Sequence, residues 1–95
     1  MYVVIFKAKI HQLDPHYFIL AKQLREKALT QFNCQKFEAL TENNQEVTLS
    51  YWQSLDDIQN WRNDAEHLMA QQLGLSKWYQ SIEIEICQIQ KSYSK

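Results

Sequence analysis

The chain has 95 residues, 45% of them hydrophobic and 13% aromatic, with a net charge of −1. That is the length of one domain with enough apolar content for a core, which excludes a disordered segment. Charges are spread along the chain: no basic run could track a phosphate backbone, and no stretch approaches the ~18 apolar residues of a membrane span, so neither nucleic acid nor membrane is expected as a partner.

Residues 2–10 read as a strand rich in β-branched and aromatic residues. Tyr2, Val4 and Phe6 fall on one face and Val3 and Ile5 on the other, the pattern of a central or interfacial strand. Asp14-Pro15 then opens a helix, with Asp14 as cap and Pro15 at the first helical position. Tyr17, Ala21, Leu24 and Ala28, flanked by Leu20 and Phe32, form its buried stripe, while Lys22, Gln23, Glu26 and Lys27 take the solvent side. Residues 34–41 alternate as a strand. Thr41-Glu42-Asn43-Asn44 supplies a turn, and residues 46–52 return as the second arm of a hairpin.

Ser54 is the cap of a second helix, whose first turn holds Asp56 and Asp57, where the helix dipole favours negative charge. Leu55, Ile58, Trp61, Ala65, Leu68 and Met69 form its apolar stripe, and Gly74, the only glycine, is expected to stop it. Residues 81–90 are the last strand, with Ile82, Ile84 and Ile86 alternating against Glu83, Glu85 and Cys87. The domain is expected to span residues 1–90, followed by a polar tail over 91–95. The order β-α-β-β-α-β predicts a ferredoxin-like α+β fold with an antiparallel sheet and two helices on one face. The bare face would be covered by a second copy, giving a homodimer. Cys34 and Cys87 are expected as reduced thiols in a cytoplasmic protein.

Candidate chemistry is sparse. His11, His16 and His67 with two distant cysteines show no metal-ligand spacing, and one glycine cannot build a phosphate loop. His67 is the titratable group suited to general-base work near neutral pH. Helical phase places it ~160–180° from the apolar stripe, so it turns inward only if the helix breaks at Asn63-Asp64. Trp61 reads either as core or as a pocket wall whose indole N–H holds a substrate oxygen. Trp78 and Tyr79 read as a plug for the sheet end or as an aromatic pocket rim. Arg62 and Asp64 read as a solvated surface pair.

The stretch from Ser50-Tyr-Trp52 through Trp61-Arg62, Glu66-His67 and Gln71-Gln-Leu-Gly74 to Trp78-Tyr79 resembles the central signature of the antibiotic-biosynthesis monooxygenase (ABM) family. With the opening strand and the element order, the likeness covers nearly the whole chain. It implies a dimeric α/β barrel. It also implies oxidation of a small aromatic or quinone-like molecule by O2 without a cofactor, with His67 and Trp61 catalytic and Trp78, Tyr79 and Trp52 binding substrate. Related dimeric enzymes break haem, which makes a haem protein with His67 as iron ligand the alternative. Two departures bear on these expectations. Phe32-Asn33-Cys34 lacks the Gly-Phe pair common before the second strand. The first strand offers only Lys7 and Lys9 where the haem-breaking relatives carry an Asn. A third reading is a binding or structural dimer without chemistry, its pocket closed by Trp61, Trp78 and Tyr79 and with His67 in solvent.

Overall fold

The structure is a computed structural model that describes residues 1–71 and 74–95. Among these residues the order is β1 (Tyr2–Ile10), α1 (Pro15–Gln31), β2 (Lys36–Glu42), β3 (Gln45–Trp52), α2 (Leu55–Gln71), α3 (Gly74–Trp78) and β4 (Tyr79–Gln88). The strands form one antiparallel sheet in the order β2-β3-β1-β4, the expected ferredoxin-like α+β arrangement. None of the described helices is long and apolar enough to cross a membrane.

Local chemistry sets the ends of the elements. Asp14 accepts from the Tyr17 amide at 3.2 Å, and Pro15 begins α1. Asn33 ends that helix at φ 65°, the left-handed conformation that a glycine usually supplies, and the Cys34 amide returns to the Ala28 carbonyl at 2.9 Å. Asn43 and Asn44 both take positive φ, 51° and 62°, as a tight hairpin turn with two central residues requires. Ser54 Oγ accepts from the Asp57 amide at 3.1 Å and caps α2.

Three expectations need correction. Gly74 does not simply stop α2; it is the first residue of α3, a five-residue helix, while Gln72 and Leu73 lie outside the described residues. β4 starts at Tyr79 rather than residue 81, because α3 delivers the chain directly into the sheet. Lys27 and Asp64 are not solvated surface groups. They pair across α1 and α2 at 3.1 Å with side chains 26% and 30% exposed, and Arg62 instead meets Glu66 at 3.5 Å.

Side-chain phase divides the sheet. Register puts Val4, Phe6 and Ala8 of β1 opposite Ser50, Thr48 and Glu46 of β3 and opposite Ile86, Ile84 and Ile82 of β4. All of these face the helices. Val3, Ile5, Val47, Leu49 and Tyr51 face the other way and are only half-buried in the single chain. The core on the helix side is split. One cluster joins Val4, Ala28, Cys34, Trp52 and Ile58. The other joins Ala8, Tyr17, Leu20, Trp78 and Tyr79.

Candidate active site

Between the two clusters the helices stand off from the sheet and leave a cavity of about 730 Å³. That is the size of a site for a drug-sized molecule. Phe6, Phe37 and Ala39 from the sheet and Leu24, Trp61 and Ala65 from the helices give it a largely apolar lining. It reaches solvent past β4, where Ile82 and Ile84 are 36% and 39% exposed, since neither helix covers this edge strand.

A carboxyl group lies inside this apolar space. Glu46 is 6% exposed, and β3 directs it at the helices because Glu46 shares the phase of Trp52, Ser50 and Thr48. The Tyr17 hydroxyl donates to Oε1, and the Tyr79 hydroxyl donates to Oε2 at 2.8 Å. Three elements thus converge: the first turn of α1, the start of β3 and the start of β4. Tyr79 reaches this face through a bulge. Lys9 pairs with Ser81 but Ile10 pairs with Tyr79, so the extra residue Gln80 turns Tyr79 onto the same side as Ile10 and Ala8. Edge-on ring contacts with Phe6 (5.6 Å) and Tyr17 (6.1 Å) hold it there.

Burial drives the electrostatics. Desolvation pushes the Glu46 carboxyl above the ordinary glutamate range, and the hydrogen bond from Tyr79 offsets part of that rise. Burial first, and then the Glu46 charge and hydrogen bond, push the Tyr79 phenol up, so it remains a neutral donor. An ionised carboxylate has about four lone-pair sites, so two tyrosines leave Glu46 able to accept a further proton or hydrogen bond.

The residues singled out by sequence are distributed differently from expectation. Trp61 lines the cavity, tilted against Trp52 (5.4 Å) and edge-on to Phe37 (6.0 Å). Its indole N–H donates to the Leu24 carbonyl at 3.2 Å and is therefore not presented to a substrate oxygen. Trp78 and Tyr79 both line the cavity and also close its end, Trp78 at 1% exposure. The Trp78 indole N–H approaches the Asp14 carboxylate without closing a hydrogen bond. Trp52 is wholly buried behind the cavity wall, with its N–H on Ser50 Oγ at 2.8 Å, and does not line the space.

His67 is exposed and lies outside the cavity lining. An inward ring needed a helix break at Asn63-Asp64, and α2 is continuous there. Asn63 is engaged by Gln59 at 3.0 Å and Asp64 by Lys27, so neither side chain caps a new helix. His11 and His16 are exposed as well, and neither lines the cavity. None of the three imidazoles lines the cavity, so the iron ligand expected at His67 is not placed there. Glu46 and Tyr17 were the residues that sequence reading missed as a site. The available signal was a glutamate in phase with the buried Trp52 on a strand whose other face is apolar.

No protein-family model matches the chain. The uncharacterized protein YqjZ of Bacillus subtilis (strain 168) is 31% identical over 91 residues, covering 95% of this chain and 80% of YqjZ. Several solved structures share the fold. A mutant of SnoaB, a cofactor-independent oxygenase from Streptomyces nogalater, superposes with TM-score 0.78 at 10% identity, covering 99% of this chain and 97% of SnoaB. Rv0793 from Mycobacterium tuberculosis gives 0.77 at 9% identity, with 98% of each chain covered. A candidate antibiotic biosynthesis monooxygenase from Nitrosomonas europaea gives 0.75 at 15% identity, covering 96% of this chain and 100% of that one.

Proposed function

The chain belongs to the family of YqjZ, ABM-like in fold, and from that premise we propose that it is a monooxygenase oxidising a small aromatic or quinone-like molecule with O2, without metal or flavin. The observation that carries this reading is Glu46, a buried carboxyl held by two phenols inside an apolar cavity of about 730 Å³. Such a cavity accepts a flat aromatic molecule and excludes water from around it.

The base in this reading is Glu46, in place of His67. A carboxylate raised by burial is a stronger proton acceptor than one in water. It takes the phenolic proton of the bound substrate, while Tyr17 and Tyr79 hold its two oxygens in place. The resulting phenolate passes one electron to O2. The substrate radical and superoxide combine through a C–O bond to give a hydroperoxide anion, which is protonated. Breakdown of the hydroperoxide releases water and leaves the quinone, so one O2 oxidises one substrate by incorporating one oxygen atom. Trp61 and Phe6 supply walls for the ring, and Trp78 closes the end near Glu46.

The same reading includes a homodimer. Val3, Ile5, Val47, Leu49 and Tyr51 form an apolar patch on the sheet face that the helices leave uncovered, bordered by the Lys7–Glu85 ion pair at 3.6 Å. Packing two such faces buries both, at roughly 25 cal/mol per Å² of apolar surface removed from water.

Oxygen uptake with anthrone and naphthohydroquinone substrates tests the chemistry. Catalysed uptake is expected to fall by about 10²–10⁴-fold in Glu46→Gln, the range for loss of a general base. An unchanged rate in that variant would remove Glu46 from the mechanism. His67→Ala is expected to retain the wild-type rate.

A further inference from the structure

Glu46 is a buried carboxyl without a cationic partner. It is 6% exposed and lines the cavity, and its two hydrogen-bond donors, Tyr17 and Tyr79, are phenols. None of the ion pairs among the described residues includes it. A carboxylate this deeply buried is ordinarily paired with a cation. The phase of the sheet keeps two lysines away from it. Ala8 is the register partner of Glu46 on β1, so Lys7 and Lys9 on either side of Ala8 point to the opposite face. The cations that do line the cavity stand on the helices. Lys22 meets Glu26 at 3.9 Å and Arg62 meets Glu66 at 3.5 Å. Arg25 is eight residues beyond Tyr17, about 12 Å along the axis of α1.

The surroundings of Glu46 suit a cation. Phe6, Tyr17, Trp78 and Tyr79 line the same cavity and form one connected group of rings. Phe6 meets Tyr79 at 5.6 Å, Tyr79 meets Tyr17 at 6.1 Å and Tyr17 meets Trp78 at 5.5 Å, each edge-on. Aromatic rings attract an ammonium group electrostatically, and more strongly where water is excluded. The carboxylate adds a full negative charge. Each of its oxygens accepts one phenol, which leaves about two of its four lone-pair sites for further N–H donors. Farther along, Leu24, Phe37, Ala39 and Trp61 give the cavity apolar walls that match a flat hydrocarbon.

We infer that the cavity binds a hydrophobic primary amine, whose ammonium group donates to Glu46 among Phe6, Tyr17, Trp78 and Tyr79 and whose aromatic body lies against Phe37 and Trp61. The ligand supplies the positive charge that the fold keeps away from Glu46. A neutral alcohol of the same shape fills the same space and leaves the buried carboxylate without a counter-charge. This binding goes beyond the proposed oxidation and does not depend on it. The two ligands make opposite demands on one carboxyl: a phenol gives Glu46 its proton, whereas an ammonium group holds Glu46 ionised. Amine and phenol therefore exclude each other, and an amine of this class is a competitive regulator of the oxidation.

The test compares 2-naphthylmethylamine with 2-naphthylmethanol by calorimetric titration at neutral pH. The amine is expected to bind roughly 10–100-fold tighter than the alcohol, the range for a hydrogen bond to a charged group. In Glu46→Gln the preference is expected to vanish, while unchanged binding of the alcohol shows that the cavity is intact. A second measurement needs no variant. NMR titration of the Glu46 side-chain carboxyl carbon in the wild type should move to lower pH when the amine saturates the site, because a neighbouring cation favours the ionised carboxyl, and should not do so with the alcohol. Equal affinity for amine and alcohol, a preference that persists in Glu46→Gln, or a Glu46 titration unmoved by the amine would each overturn the inference. Neither measurement involves O2, and oxygen uptake with hydroquinones examines the oxidation separately, so failure of one reading is distinguishable from failure of the other.

Discussion

Tyr79→Phe removes one hydroxyl and keeps the ring that packs on Phe6 and Tyr17. What is lost is a 2.8 Å hydrogen bond to Glu46 Oε2, with both residues buried. A hydrogen bond to a charged group contributes about 1.5–3 kcal/mol, and one between neutral groups about 1 kcal/mol. The loss is therefore expected to depend on the charge of Glu46: about 2 kcal/mol where the carboxyl is ionised and about 1 kcal/mol where it is protonated. For a domain of this size, 1 kcal/mol corresponds to roughly 4–8 °C in Tm, so the variant should melt about 8–16 °C lower where Glu46 is charged. The same hydrogen bond holds Glu46 down against the rise caused by burial, so its loss should move the Glu46 titration further up. Thermal melts of both proteins from pH 4 to pH 8, with NMR titration of the Glu46 side-chain carboxyl carbon, measure both effects. A loss of equal size at all pH values, or a Glu46 titration unmoved by the substitution, would refute the assignment of Tyr79 as the donor that stabilises a buried anion.

Glu46→Gln should alter the pH dependence of stability with a definite sign. The folded-state pKa of Glu46 is raised, so its contribution is fully present below the ordinary glutamate value of about 4.3 and is lost as pH rises through the folded value. The variant should gain on the wild type across that interval, and urea unfolding at several pH values would reveal a gain or its absence. Leu49→Asp places a charge on the open sheet face and is expected to give monomers in sedimentation equilibrium while the wild type sediments as a dimer. Cys87 lies on that same face, opposite Val3, whereas Cys34 is buried in the core with its thiol pushed up by burial. Thiol labelling should therefore modify Cys87 faster in the Leu49→Asp monomer than in the wild-type dimer, and Cys34 last in both.

Much of the fold was readable because its signals are local. Asp14-Pro15, Ser54 and Asn43-Asn44 mark two helix starts and a hairpin by chemistry that acts within four residues. The helix α3 was not readable, since five residues carry too little periodicity to register. The site was harder still. Alternation showed that Glu46, Thr48 and Ser50 share a face with Trp52, but not that this face meets the helices. Only the pairing register decides that. Tyr79 depended on a bulge at Gln80, which leaves no mark in the residue pattern. His67 was attractive because its chemistry suits a base, and the helical phase already counted against it. An unbroken α2 upheld the phase.

The cavity also bears on why this chain would need a partner. A domain of about this length buries only roughly 60–68% of the surface its unfolded chain exposes. Here the helix-side core is divided into two clusters, and the space between them, about 730 Å³, contributes no packing. A buried carboxyl held by two tyrosines adds desolvation cost in that gap. The helix side of the sheet thus gives up packing to an open cavity. The opposite side carries Val3, Ile5, Val47, Leu49 and Tyr51 on the two central strands, the apolar surface best placed to recover the deficit. Association through that face leaves the cavity and its opening at β4 on the outer side of the assembly, so stability and access to the cavity do not compete for the same surface.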